Sequence, residues 1–185
     1  FATEGAKVVL ADVEVEALEK AAAEIAGAGG EVLAVPTDVS DGQAVEALRD
    51  AAVERFGAVH VVCNNAGVAS GGTLWTATDE DWSWVVGVNL MGVVHGVQAF
   101  TPLMIEQGEG HIVNTASIAG MLAPPFMGIY NATKHAVVAL TESLHGELAL
   151  FAPGVGVSVL CPGWVNTRIH ESDRNRPEEA VGPTE

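Results

Sequence analysis

The stretch Ala58-Val59-His60-Val61-Val62-Cys63-Asn64-Asn65-Ala66-Gly67 runs from an apolar segment straight into a short polar loop. Its apolar residues follow one another without alternation. That predicts a strand over 58–63 buried on both faces, as in a parallel sheet covered by helices. The same kind of run recurs at 7–12, 31–36, 110–116 and 155–161. Between these runs the apolar spacing becomes helical. It predicts helices over 15–28, 41–56, 79–106 and 128–151, the first stopped by Gly29-Gly30 and the second capped by Ser40 or Asp41.

Strand and helix alternate throughout, so the expected fold is α/β. It is a doubly wound parallel sheet with helices on both faces, a Rossmann-like three-layer sandwich. The length of 185 residues predicts a single domain, 1–185. Ligands of such sheets bind at the carboxyl ends of the strands. Asp12, Asp38, Asn64, Ser117 and Pro162 all fall at those ends.

Composition narrows the function. A formal net charge of -16 disfavours nucleic acid and anionic membranes as partners. The two cysteines, Cys63 and Cys161, each end an apolar run without CxxC spacing and read as buried reduced thiols. The expected location is therefore cytoplasmic. The histidines show no metal-ligand pattern, and no metal is expected. Residues 82–105 carry no formal charge and could span a bilayer by length. Asn89, His95 and Gln98 interrupt the run, and its strand and helix neighbours favour a buried helix on a sheet.

The chemistry gathers around the single tyrosine, in Tyr130-Asn131-Ala132-Thr133-Lys134. Residues four apart share a helix face, so Lys134 lies one turn from Tyr130. A phenol is a poor base at neutral pH, and a neighbouring ammonium favours its ionised form. The pair can thus serve as an acid/base, although alone it also fits an ordinary helix surface. Ser117 follows the strand 110–116 directly and comes 13 positions before Tyr130. A hydroxyl at that rim can hold a substrate oxygen against the phenol.

Asn64-Asn65-Ala66-Gly67, Ser117, Tyr130-x-x-x-Lys134 and Pro162-Gly163, in this order and spacing, resemble the short-chain dehydrogenases/reductases. The resemblance covers residues 1 to about 168. It implies hydride transfer between NAD(H) and a secondary alcohol or ketone. It also implies a catalytic set of Asn89, Ser117, Tyr130 and Lys134. Tyr130 would move the hydroxyl proton and Lys134 would assist it and bond the nicotinamide ribose. Ser117 would orient the substrate oxygen, and Asn89 would shape its helix and hold a proton-relaying water.

For the cofactor, a carboxylate at Asp12 can accept hydrogen bonds from the adenosine ribose hydroxyls and would repel a 2′-phosphate. Val13 and Glu14 offer no arginine, so NAD is expected over NADP. Asp12 could also cap the helix after it. By resemblance, Asp38 and Val39 contact the adenine edge, and Asn64, Ala66 and Gly67 form the loop beneath the adenosine ribose. Asn64 could equally stabilise the sheet. Pro162, Gly163, Val165 and Thr167 resemble the segment along the nicotinamide.

The family's glycine-rich phosphate loop and the first strand before it are expected upstream of Phe1. That strand would lie between the strands ending at Asp12 and Cys63. The chain is thus expected to be a fragment that binds cofactor poorly alone. Residues 168–185, polar and rich in Asp, Glu, Arg and Pro, read as the start of a substrate loop or lid with little order.

Ile118 to Met127 carries only apolar side chains and fits a pocket wall for an apolar substrate. It fits a packed loop or a subunit contact as well. The two long helices would by resemblance form the interface of a homodimer or homotetramer. The alternatives are an NADP-linked carbonyl or acyl-carrier-protein reductase, and a non-catalytic dinucleotide-binding fragment on the same fold.

Overall fold

The computed structural model describes residues 1–177; the end of the expected lid, 178–185, lies outside them. Strands β1 (Val8–Asp12) and β2 (Val32–Pro36) pair in parallel, with Val8 opposite Val32. Strands β3 (Val61–Asn64), β4 (Gly110–Thr115) and β5 (Val155–Leu160) form a second parallel sheet in the order β3-β4-β5. Its register sets Val62 opposite Ile112 and Ile112 opposite Val157. Among the described residues no ladder joins β1 to β3. Those are the two edges between which the resemblance implies a further strand.

The helices follow the expected alternation. They are α1 (Val15–Gly27), α2 (Gly42–Phe56), α3 (Asp79–Val86), α4 (Gly92–Gln107) and α5 (Gly128–Phe151). Asp41 caps α2 by accepting the Gln43 amide at 2.9 Å. Thr78 and Asp81 close a reciprocal capping box at the start of α3. Asp12 does not cap α1. It accepts the Glu14 amide at 2.9 Å in a local turn, and the helix begins one residue later.

β3 starts at Val61, later than its apolar run suggests. The Gln107 side chain takes the place of a strand partner at Val59. It accepts the Val59 amide at 3.1 Å and donates to the Val59 carbonyl at 2.8 Å.

The main core joins Val62, Ile112 and Val155 to Ala99, Phe100 and Met104 of α4 and to Leu144 and Leu148 of α5. Each such large side chain removed from water contributes about 1.5–3 kcal/mol. The packed strand residues Val62, Ile112, Val157 and Val159 all point to one face. On the other face Val61, Cys63 and Leu160 are exposed. Among the described residues the helices packed on β3–β5 cover the face that carries Val62, Ile112, Val157 and Val159. This corrects the expected burial of Cys63, whose side chain lies on the open face; Cys161 is half-buried.

Residues 82–105 fall in the helix Asp79–Gln107, long and apolar enough to cross a membrane by length and composition. Its Val85, Val93, Phe100 and Met104 are buried within the protein.

Candidate active site

The carboxyl ends of β3 and β4 and the first turns of α5 converge on one cluster. It begins with a defect in the long helix. Between α3 and α4 the backbone widens into a π-helical turn, Gly87–Met91, enclosing Asn89. Such bulges break the regular ladder and often mark functional sites. Asn89 is fully buried. Its Nδ2 donates to the Val68 carbonyl at 2.8 Å, and its Oδ1 accepts the Val68 amide at 2.8 Å. Nδ2 also lies 3.3 Å from Thr133 Oγ1. The Asn89 side chain therefore staples the loop after β3 to α5, with both its polar atoms engaged.

Lys134 is 2% exposed. Its Nζ donates to the carbonyl of Thr115, the last residue of β4, at 2.8 Å. Burial pushes the ammonium from its usual range down to about 8. An amine that deep is costly to charge unless its donors find acceptors, and two of its three remain for other partners. Nζ stands 5.6 Å from the centroid of the Tyr130 ring, which is itself buried. The helical spacing thus delivers the expected pair.

Gly67 sits against the same cluster. A Cβ there would stand 3.5 Å from Asn89 Oδ1 and 3.6 Å from Lys134 Nζ. Glycine keeps open the space above both groups.

Ser117 caps a 3-10 turn, Ile118–Gly120, accepting the Ala119 amide at 3.1 Å and leaving its O–H free to donate. That turn presses on α5 so closely that a Cβ on Gly120 would stand 2.7 Å from the Lys134 carbonyl. The Ile118 amide bonds the Pro162 carbonyl at 2.9 Å, tying the segment after β5 to the same rim. Beyond it Gly163, Trp164, Val165 and Thr167 are exposed.

The Asn64 side chain turns into the sheet. It donates to Asn114 Oδ1 at 2.8 Å, and Asn114 donates to Thr141 Oγ1 at 3.0 Å. It packs against Gly96, where any Cβ would overlap it. Its sheet-stabilising reading is the one its side chain follows.

The β1–β2 end is built differently. Asp12 and Asp38 are exposed, and Asp38 accepts only the Ser40 amide and hydroxyl, at 2.9 and 2.7 Å. The Val39 carbonyl meets His95 Nδ1 at 2.8 Å, and Ala66 lies exposed in the loop after β3.

The described part of the segment after Arg168, expected to have little order, forms 3-10 turns, Ile169–Asn175, held against residues that follow β1 and β3. Arg174 pairs with Glu14 at 2.6 Å, Ser172 Oγ accepts the Ala69 amide at 3.1 Å, and Arg176 pairs with Asp81. Hydrogen bonds from Arg174 and Asn175 hold the Glu14 carboxyl below the usual range. Sequence proximity thus missed an arginine that the fold brings beside Asp12's turn. It also missed Thr115 as the partner of Lys134, and Val68 and Thr133 as the partners of Asn89.

Comparison with known proteins agrees with this geometry. The family model for short chain dehydrogenase matches residues 1–178. A short chain dehydrogenase/reductase from Burkholderia phymatum, solved in complex with NAD, superposes with a TM-score of 0.98 at 53% identity, covering 100% of this chain and 66% of that one. An alcohol dehydrogenase from Thermococcus sibiricus, complexed with 5-hydroxy-NADP, gives 0.85 at 33% identity, covering 92% and 71%. The 1-deoxy-11-beta-hydroxypentalenate dehydrogenase of Streptomyces exfoliatus is 42% identical, over 100% of this chain and 67% of its own. The chain spans about two thirds or less of its curated relatives, 65% of one and 58% of another.

Proposed function

The chain belongs to the short-chain dehydrogenase family, and from that premise we propose that the protein it represents interconverts a secondary alcohol and a ketone with NAD(H). The observation that carries the proposal is the buried Lys134 ammonium one turn from Tyr130, held against the end of β4 by the Thr115 carbonyl. A non-catalytic binding fragment has no use for that arrangement.

The residues present suit a dinucleotide. Asp12 offers an exposed carboxylate at a strand end, Gly67 leaves room for close approach, and Lys134 keeps two donors for ribose hydroxyls. Bound nicotinamide would supply or accept the hydride. In oxidation Tyr130 takes the hydroxyl proton; in reduction it returns it. Lys134 sets its positive charge beside the phenol ring. Ser117 donates its free O–H to the substrate oxygen and stabilises charge developing there. Asn89 acts as a positioning residue, fixing Val68 and α5 about the lysine. Asp38 and Val39 would meet the adenine, Ala66 and Gly67 the adenosine ribose, and Pro162, Gly163, Val165 and Thr167 the nicotinamide.

NAD is favoured over NADP on two grounds. Asp12 would repel a 2′-phosphate, and the nearby Arg174 is engaged by Glu14. The NAD complex of the Burkholderia phymatum protein, at 53% identity, points the same way. The substrate is an apolar small molecule, the working form is a homodimer or homotetramer built on α4 and α5, and the setting is cytoplasmic.

The test is a panel of secondary alcohols and ketones with NAD(H) and NADP(H) on the complete enzyme, followed at 340 nm. Turnover with NAD(H) at least tenfold more efficient is expected. Preference for NADPH would overturn the cofactor assignment, and no turnover would overturn the reaction.

A further inference from the structure

One residue between Ser117 and α5 is held in a conformation that nothing else in the fold requires of its side chain. Among the described residues Phe126 is the only non-glycine with positive φ, 66°. There the Cβ crowds the following carbonyl, and a bulky residue is an outlier. Such strain persists only where the surroundings over-determine it.

They do so on both flanks. The Phe126 carbonyl accepts the Gly72 amide at 3.0 Å, and Met127 forms a bridge with Gly72. Asn131, next to Tyr130, donates from Nδ2 to the Pro124 carbonyl at 2.8 Å and from its amide to the Met127 carbonyl at 2.8 Å. These bonds hold the backbone, while the Phe126 ring is 66% exposed. Packing within the described chain therefore does not account for the ring.

Its place does suggest a partner. Phe126 stands four positions before Tyr130, on a segment, Ile118 to Met127, without a polar side chain. Exposed Leu74 packs on Gly128, so closely that a Cβ there would overlap it. A small cavity opens beside the start of α5, its lining mixed: Leu74, Ala77 and Ile129 on the apolar side, and Ser70, Thr73 and Asp81 on the polar side. Met121 and Leu122 are also exposed.

We infer that Phe126 is a specificity-determining residue, its ring forming an apolar wall against the larger substituent on the substrate's carbinol carbon. The substrate class is then a secondary alcohol or ketone bearing one bulky apolar group, ring-sized or branched. This rests on the oxidoreductase reading above.

The test uses the complete enzyme, NADH, and two ketones, cyclohexyl methyl ketone and acetone. Phe126→Asn and Phe126→Gly both delete the ring while tolerating the left-handed backbone. Both variants are expected to lose about tenfold or more in kcat/KM for the bulky ketone, chiefly through KM. Acetone turnover should stay within about twofold, and the melting temperature within about 3 °C. An unchanged ratio between the ketones in both variants would overturn the inference while leaving the reaction intact. So would a large fall in melting temperature with both ketones slowed alike, which would assign the ring to folding. A wild-type enzyme inactive on both ketones and on the wider panel would overturn the reaction itself, and this inference with it.

Discussion

The two sheets hold their functional side chains in opposite ways. At the β3–β4 end, Asn89 and Lys134 are buried and bonded to residues 21 and 19 positions away in sequence. At the β1–β2 end, Asp12 and Asp38 are exposed, and among the described residues their carboxylates bond only to groups two positions on. The first arrangement is assembled by tertiary packing between elements far apart in sequence. The second is displayed by local turns, ready for hydroxyls or amines that a ligand would bring. Groups that move protons need fixed geometry, whereas groups that only bind need an open acceptor.

That contrast breaks most easily at Lys134. Lys134→Met should lower kcat about a hundredfold or more, measured with the preferred ketone in the complete enzyme. It should also change the pH dependence of stability. In the folded state the lysine is pushed down to about 8 from an ordinary 10.5, so the unfolded chain binds more protons between those values. The burial penalty on the charged form is therefore in full force below about pH 8 and relieved as pH rises toward 10.5. Wild type should gain stability relative to Lys134→Met across that window in urea melts. Parallel curves would contradict the buried ammonium.

Asn89→Ala comes next. It strands the Val68 amide and carbonyl, each costing about 1–3 kcal/mol if left unbonded. A fall in melting temperature of roughly 10 °C is expected, together with lost activity. Asp12→Asn, on the other side of the comparison, should leave melting within about 1 °C, because the carboxylate is exposed and its turn survives. Its effect belongs to the ligand: the NADP to NAD ratio of kcat/KM should rise about tenfold. Glu14→Gln is the smallest. Its pair with Arg174 is a partly exposed bridge, and melting should shift by less than about 2 °C.

The same contrast explains what could be read from the sequence. Apolar runs and helical spacing located the five strands and the long helices among the described residues, because those signals are local. Tyr130 and Lys134 were legible because one helix carries both. Ser117 was legible because it directly follows a strand. The Thr115 carbonyl, the Val68 staple and the Arg174–Glu14 pair were not. Each joins residues at least 19 positions apart, and a backbone acceptor leaves no mark in composition. Asn64 carried two readings, and only the register of β3 on β4 shows its side chain bonded to Asn114. The exposure of Cys63 was hidden for a related reason: an apolar run does not reveal which face the helices cover.

The most direct measurement is turnover and NADH binding by Tyr130→Phe in the complete enzyme, with NADH followed by fluorescence titration. Loss of about a thousandfold in kcat with NADH affinity within about threefold is the predicted result. Wild-type turnover in that variant would contradict the assignment of Tyr130 as the group that moves the proton.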